Sequence, residues 1–277
     1  MVFVSRVNLV NNGSSPFLSR TLGLVYRLYE RSLSRGLRAQ PMPQHIGIIL
    51  DGNRRHGMVR GLTEPREIYR AGADKLEDVL EWCVELGIPA VTLWVLSTDN
   101  LRRSRHEVSG ILAAIEAKLR DLLRSPMVRR HRIRVRAVGR LSSLPASLFE
   151  TIRETEQATE HFSGLNVTIA VAYGGREEII DAMRALLQDL SRGGKTLAQS
   201  IDAVSPEAIG RYIYRADLPD LDLIIRTSGE VRHSGFLLWQ SMRSEFYCSD
   251  VFWPAFRRID FLRAIREFQR RRRRYGA

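Results

Sequence analysis

Asp51, Asn53, Arg54 and Arg55 fall within five consecutive positions, with Gly52 between them. A single carboxylate is a hard oxygen ligand suited to Mg2+, which takes one or two protein carboxylates and fills its other positions with phosphate and water. Two guanidiniums match phosphate oxygens through paired hydrogen bonds. Gly52 permits a tight turn and Asn53 tolerates unusual backbone angles, so backbone N–H groups can be turned toward an anion. The chemistry this group suits is the handling of a diphosphate with a divalent cation. Two other polar stretches carry matching residues: Ser97-Thr98-Asp99-Asn100 leading to Arg103, and Arg226 onward through Arg232 and His233 to Ser234. Arg55, Arg103, Arg226 and Arg232 would together surround phosphate oxygens, with Asp51 and Glu245 as candidate oxygen ligands for Mg2+.

Each stretch comes after an apolar run of strand type. Ile46, Ile48, Ile49 and Leu50 precede Asp51, AVTLWVL over 90–96 precedes Ser97, and LDLII over 221–225 precedes Arg226. Runs of this length and composition read as buried strands. NVTIAVA over 166–172 is a further strand, ending in Tyr173-Gly174-Gly175, and IRVRAV over 133–138 alternates as a half-exposed one. Helical patterns lie between them over 66–86, 105–124, 145–162 and 176–190, with a short helix starting at Ser205-Pro206. Phe236 to Trp253 reads as a last core segment and 258–274 as a basic closing helix. Alternating strands and helices predict an α/β fold with a parallel sheet covered on both faces. In such sheets ligands bind at the carboxyl ends of the strands, so the three polar stretches would meet in one crevice.

Several competing patterns fail. Gly193-Gly194-Lys195-Thr196 resembles the end of a phosphate loop but has Asp189 where that motif needs glycine. Asp217, Asp220 and Asp222 form one acidic cluster with leucine and proline between, which reads as a polar turn. No Cys/His spacing suits zinc, and Cys83 and Cys248 read as buried free thiols of a reducing cytosol.

The net charge of +12 is confined to the ends: six Arg against one Glu in 1–42, and nine Arg against one Asp and one Glu in 257–277. Residues 43–256 are therefore neutral overall, which argues against a protein built to read nucleic acid. The basic ends suit anionic lipid or a phosphate-rich site. Residues 1–16 read as disordered, and 17–37 as a basic amphipathic helix that packs either on its own domain or on a membrane surface. The chain thus divides into an N-terminal extension, 1–42, and a single catalytic domain, 43–277. No signal peptide or bilayer-spanning stretch is expected, and the expected location is cytoplasmic, with peripheral membrane association through the basic termini.

At DGNRR, STDN and RTSGEVRHSGFLLWQ the sequence resembles the cis-prenyltransferases, the undecaprenyl diphosphate synthase family, and within it the actinobacterial short-chain (2Z,6E)-farnesyl diphosphate synthases. The likeness runs from about Tyr26 to Gly276. It implies a homodimer built on a six-stranded, mostly parallel sheet flanked by helices, with a hydrophobic tunnel at the sheet's carboxyl edge. It implies Mg2+ as cofactor and isopentenyl diphosphate plus an allylic diphosphate as substrates.

Residue by residue, the resemblance makes Asp51 the essential aspartate that binds Mg2+ and helps diphosphate depart. Gly52, Asn53, Arg54 and Arg55 would hold the allylic diphosphate. Ser97, Thr98, Asp99, Asn100 and Arg103 would line the site, with Asn100 handling a proton. Arg226, Arg232, His233 and Ser234 would bind isopentenyl diphosphate, Glu245 would complete the Mg2+ site, and Arg274-Tyr275-Gly276 would reach the partner subunit. The chain departs from the family pattern at His56 and Leu101, both tryptophan positions, at Ile68-Tyr69 for Gly-His, and at Val231 for a histidine; His56, Tyr69 and Leu101 are counted with the substrate contacts. Val95, two residues before Ser97, is expected to narrow the tunnel and to stop growth after one condensation, giving (2Z,6E)-farnesyl diphosphate from geranyl diphosphate. The alternatives are a medium- or long-chain polyprenyl diphosphate synthase and a non-catalytic, membrane-docking subunit. Retention of Asp51, Arg226 and Arg232 argues against the latter.

Overall fold

The computed structural model describes residues 29–271. Six strands form one sheet: β1 His45–Ile49, β2 Ala90–Trp94, β3 Arg134–Val138, β4 Asn166–Ala170, β5 Leu223–Arg226 and β6 Glu245–Cys248. Their order is β3-β4-β2-β1-β5-β6, and every neighbouring pair is parallel. The helices are α1 Asn53–Val59, α2 Pro65–Leu86, α3 Arg105–Arg124, α4 Pro126–Arg130, α5 Ala146–Thr159, α6 Gly175–Arg192, α7 Leu197–Asp202, α8 Pro206–Gly210 and α9 Arg258–Arg270. Central β1 is buried along its whole length, as a strand covered on both faces must be. Edge strand β3 keeps its alternation of half-buried and buried positions.

Packing around β1 sets the turn that leads to α1. Gly47 leaves room for Phe236 to lie against the sheet: a Cβ there would come within 2.6 Å of the Phe236 ring. Gly52 turns the chain at φ 100°, where a Cβ would meet Phe252 at 2.9 Å and Ser228 Oγ at 3.0 Å. Trp253 ties this turn to α2, its backbone N–H donating to the Asp51 carbonyl (3.0 Å) and its indole N–H to the Gly72 carbonyl (2.7 Å).

Three elements differ from expectation. Leu50 lies past the end of β1 and Asp51 one step further. The 236–253 segment is not one core element, because its tail contains β6. Helix α1 occupies the polar run after Gly52.

Residues 29–38 are helical and pack on the domain itself. Leu37 is buried, Arg38 donates to the Glu85 carbonyl, and Glu30 lies 3.9 Å from Arg258 of α9. Residues 1–28, and with them most of the expected amphipathic helix, lie outside the described residues, as does Arg274-Tyr275-Gly276. Cys83 is buried and Cys248 half-buried; both are free thiols. Among the described residues no helix is long and apolar enough to cross a membrane.

Candidate active site

Parallel strands deliver their following loops to one edge. The loops after β1, β2, β4 and β5 enclose a cleft of about 1270 Å3 there. Arg226, the last residue of β5, is its organising group, with a side chain only 7% exposed. Its Nη2 donates to Asp51 Oδ2 at 2.9 Å, while its Nη1 donates to Ser234 Oγ at 2.7 Å and to the Arg232 carbonyl. One guanidinium therefore fixes the end of β1 against the 232–234 loop. Asp51 Oδ1 accepts from the Gly52 N–H at 2.7 Å, with Arg55 Nη2 3.6 Å away, and Thr227 Oγ1 donates to the Asp51 carbonyl at 2.7 Å. Arg55 also approaches Glu230 at 3.7 Å and lies over the Phe252 ring.

The second loop is braced on itself. Asn100 Oδ1 accepts from the Ser97 N–H, and Ser97 Oγ accepts from the Asn100 N–H. The Thr98 N–H donates to the Tyr173 carbonyl at 3.1 Å, extending the β2–β4 pairing. On the opposite wall Glu107 collects three groups. Its Oε1 accepts from Tyr69 OH (2.7 Å) and Arg103 Nη1 (3.0 Å), with Arg54 Nε at 3.6 Å. Burial, then the hydrogen bond to Glu107, raises the Tyr69 phenol above its usual range.

The cleft lining holds Arg54, Arg55, Arg102, Arg103, Arg176, Arg226 and Arg232 against four carboxylates, Asp51, Asp99, Glu177 and Glu230. A domain that is neutral overall thus concentrates positive charge at one concavity, which suits a polyanionic ligand. Arg226 Nε and Ser228 Oγ are buried without hydrogen-bond partners. Among the described residues no three His, Cys, Asp or Glu side chains gather as a metal cage. Asp51, set amid phosphate-binding groups, fits Mg2+, which is commonly held by a carboxylate together with substrate phosphates.

The floor is of another character. Leu50, Asn53, Tyr69, Val95 and Ile111 line both the cleft and a smaller apolar cavity of about 60 Å3, which continues between α2, α3 and the sheet. A charged mouth over an apolar extension suits a ligand with an anionic head and a hydrocarbon tail.

Residues 49–276 match the family model described as "Putative undecaprenyl diphosphate synthase". The chain belongs to the undecaprenyl diphosphate synthase family. It is an enzyme, a cis-prenyltransferase. It is 49% identical over 252 residues to the (2Z,6E)-farnesyl diphosphate synthase of Thermobifida fusca, covering 91% of this chain and 97% of that one. It is equally 49% identical over 252 residues to the geranylgeranyl-diphosphate-specific tritrans,polycis-undecaprenyl-diphosphate synthase of Methanopyrus kandleri, covering 91% of each. Its fold matches lavandulyl diphosphate synthase from Lavandula x intermedia, solved with dimethylallyl diphosphate, at a TM-score of 0.79 and 31% identity over 85% of this chain and 99% of that one.

In this cis-prenyltransferase the cleft brings together Asp51, Gly52, Asn53, Arg54, Arg55, Tyr69, Val95, Ser97, Thr98, Asp99, Asn100, Arg103, Arg226, Arg232 and Ser234, as the sequence predicts. Four expected residues stand elsewhere. His56 lies two positions past Arg54 on α1, about 200° around the helix, and does not line the cleft. Leu101 turns inward from its 3-10 turn and packs on the main core. His233 is turned away: Nε2 meets Ser241 Oγ at 2.8 Å and its ring lies near Phe246, while burial and then Arg226 lower its pKa.

Glu245 opens β6, level with Leu223 of β5 and so with Ile46 of β1, at the amino edge of the sheet. Asp51 is five residues further along the strand direction, about 16 Å along the strand and two strands across. Glu245 instead pairs with Arg271 at 2.7 Å. The Mg2+ site shared by Asp51 and Glu245 does not form within one chain. No sequence motif points to Arg176, which lines the cleft, or to Glu107, which binds the lining residues Tyr69 and Arg103. The acidic group Asp217, Asp220 and Asp222 is a polar turn on the far side, where Asp222 accepts from the Gln44 N–H.

Proposed function

We propose that this cis-prenyltransferase condenses isopentenyl diphosphate with geranyl diphosphate, in a Mg2+-dependent reaction, to give (2Z,6E)-farnesyl diphosphate. The observation that carries the reading is the arginine-rich mouth opening onto an apolar cavity of only about 60 Å3. The farnesyl diphosphate synthase relative is consistent with the short product. Val95, at the junction of mouth and cavity, narrows the passage for the growing tail.

Each residue's role comes from its position. Mg2+, when bound, neutralises charge on the departing diphosphate. Asp51 presents the carboxylate that holds it. The backbone from Gly52 to Arg55, with Arg54, Arg55, Tyr69 and Arg103, receives the allylic diphosphate; α1 begins there without a side-chain cap on its first N–H groups. Arg226, Arg232 and Ser234 receive isopentenyl diphosphate. The allylic C–O bond breaks, the isopentenyl double bond supplies the electron pair for the new C–C bond, and a proton is lost to leave the Z alkene. Asn100 assists that proton's departure, with its carboxamide fixed by Ser97. Arginines placed before the reaction stabilise the charge that develops, and most of the remaining work is positioning two diphosphates side by side.

Glu245 serves the Mg2+ site only across a two-fold interface at the exposed β6 edge, as the homodimer implied by the family would provide. Chromatography of the products from geranyl and isopentenyl diphosphates tests the proposal. Farnesyl-length product with a Z double bond is expected; polyprenyl products of decaprenyl length or longer from the pure enzyme would overturn the short-chain assignment.

A further inference from the structure

The lining of the apolar cavity includes one charged side chain. Lys118 lies on α3, seven positions beyond Ile111, the residue that lines both cleft and cavity. Its neighbours in the lining include Ala73, Leu76, Ala114, Ile115 and Leu122. Lysine is almost never buried unless it is paired. Here the side chain is 8% exposed and its ammonium donates to Glu77 at 2.7 Å, with Asp74 at 3.8 Å. Both acids stand on α2 and are far more open to solvent, at 40% and 55% side-chain exposure. The butyl stem therefore runs along the cavity while the charged head leaves between the helices toward water.

We infer that Lys118 is a latch that narrows the tail tunnel between α2 and α3 and so limits product length. The inference rests on the prenyl-transfer reading and deepens it. The stem forms part of the wall between α2 and α3, one turn before Leu122, and the ion pair to Glu77 and Asp74 holds α3 against α2 at a place a longer tail would have to pass. A tail that displaced the stem would pull the ammonium from Glu77 and Asp74 and break the contact that ties α3 to α2. The dimensions agree. Seven residues of helix rise by about 10 Å. A five-carbon unit of an extended tail spans about 5 Å at ordinary bond lengths. The distance from Ile111 to the latch thus matches the length of about two units, with the first unit in the cleft above. Val95 narrows the entrance; Lys118 narrows the passage between the helices.

The test compares wild type with Lys118→Ala on geranyl and isopentenyl diphosphates. The main product of Lys118→Ala is expected to be longer than that of wild type by one or more isoprene units. Should that variant fail to fold, the pair Glu77→Gln and Asp74→Asn frees the ammonium without altering the cavity wall, and lengthening is expected there too. Calorimetric titration with a tail-length series of non-hydrolysable prenyl thiolodiphosphates reads the same limit without turnover: the affinity gain per added unit should stop at a shorter tail in wild type than in Lys118→Ala. Unchanged product length, or the same tail limit in both proteins, would refute the latch. Unchanged farnesyl-length product in the variant would remove the latch alone, whereas a wild type that already makes polyprenyl product would remove both the short-chain assignment and the latch. A wild type that binds none of the series would remove both.

Discussion

Asp51 and Arg226 are the pair on which the site turns. Arg226 is almost wholly buried, and Asp51 is the one carboxylate among its hydrogen-bond partners. Replacing Asp51 by alanine removes the proposed metal ligand and leaves a buried guanidinium without its counter-charge. Turnover should fall by about a thousandfold or more. Stability should drop by about 1–2 kcal/mol, discounted because Asp51 is partly solvated. Steady-state kinetics and thermal unfolding of Asp51→Ala separate the two effects, and near-normal turnover in a folded variant would refute the metal assignment. These two residues were legible because each directly follows or ends an apolar strand run. Glu107 was not: three residues past the Ser104 cap it reads as an ordinary capping acid of α3, and only the fold carries it to Tyr69 and Arg103. His56 misled for the opposite reason. Adjacency in sequence to Arg55 does not survive the 100° per residue of a helix.

At the scale of elements, β1 was readable from its β-branched run, whereas β6 was hidden in a continuous aromatic stretch with no change of period. What holds β1 at its start is His45. Its Nδ1–H donates to the Pro219 carbonyl at 2.7 Å, which leaves Nε2 to accept from Thr92 Oγ1 of β2 at 2.8 Å. Burial pushes the His45 pKa down from 6.5 to about 4. Between those values the unfolded chain binds the proton that the folded chain refuses. Stability from this group is therefore complete above pH 6.5 and is lost as pH falls toward 4, by up to about 3 kcal/mol. Urea unfolding across that window should show a steeper loss for wild type than for His45→Gln. Equal slopes would show that His45 is not the source.

For the whole molecule, the placement of Glu245 at the amino edge gives a sharp test of assembly. If its carboxylate serves a site in a second copy, Asp51→Ala and Glu245→Ala proteins are each nearly inactive. Mixing them under subunit exchange should then restore about a quarter of wild-type turnover, because half of the dimers are hybrid and each hybrid has one intact site. No recovery despite exchange, seen by mass spectrometry of the mixed dimer, would exclude the shared site. The strand order carries a further consequence for how the protein comes to exist. β1 lies between β2 and β5, and β5 belongs to the last quarter of the described chain. A ribosome therefore releases β1, β2, β3 and β4 long before the partner that covers β1's other edge. Until then the nascent chain carries an unpaired apolar strand edge at its centre, the kind of surface that aggregates. The strand that covers β1's other edge ends in Arg226, so a chain stopped short of it lacks both that cover and the group that aligns its aspartate.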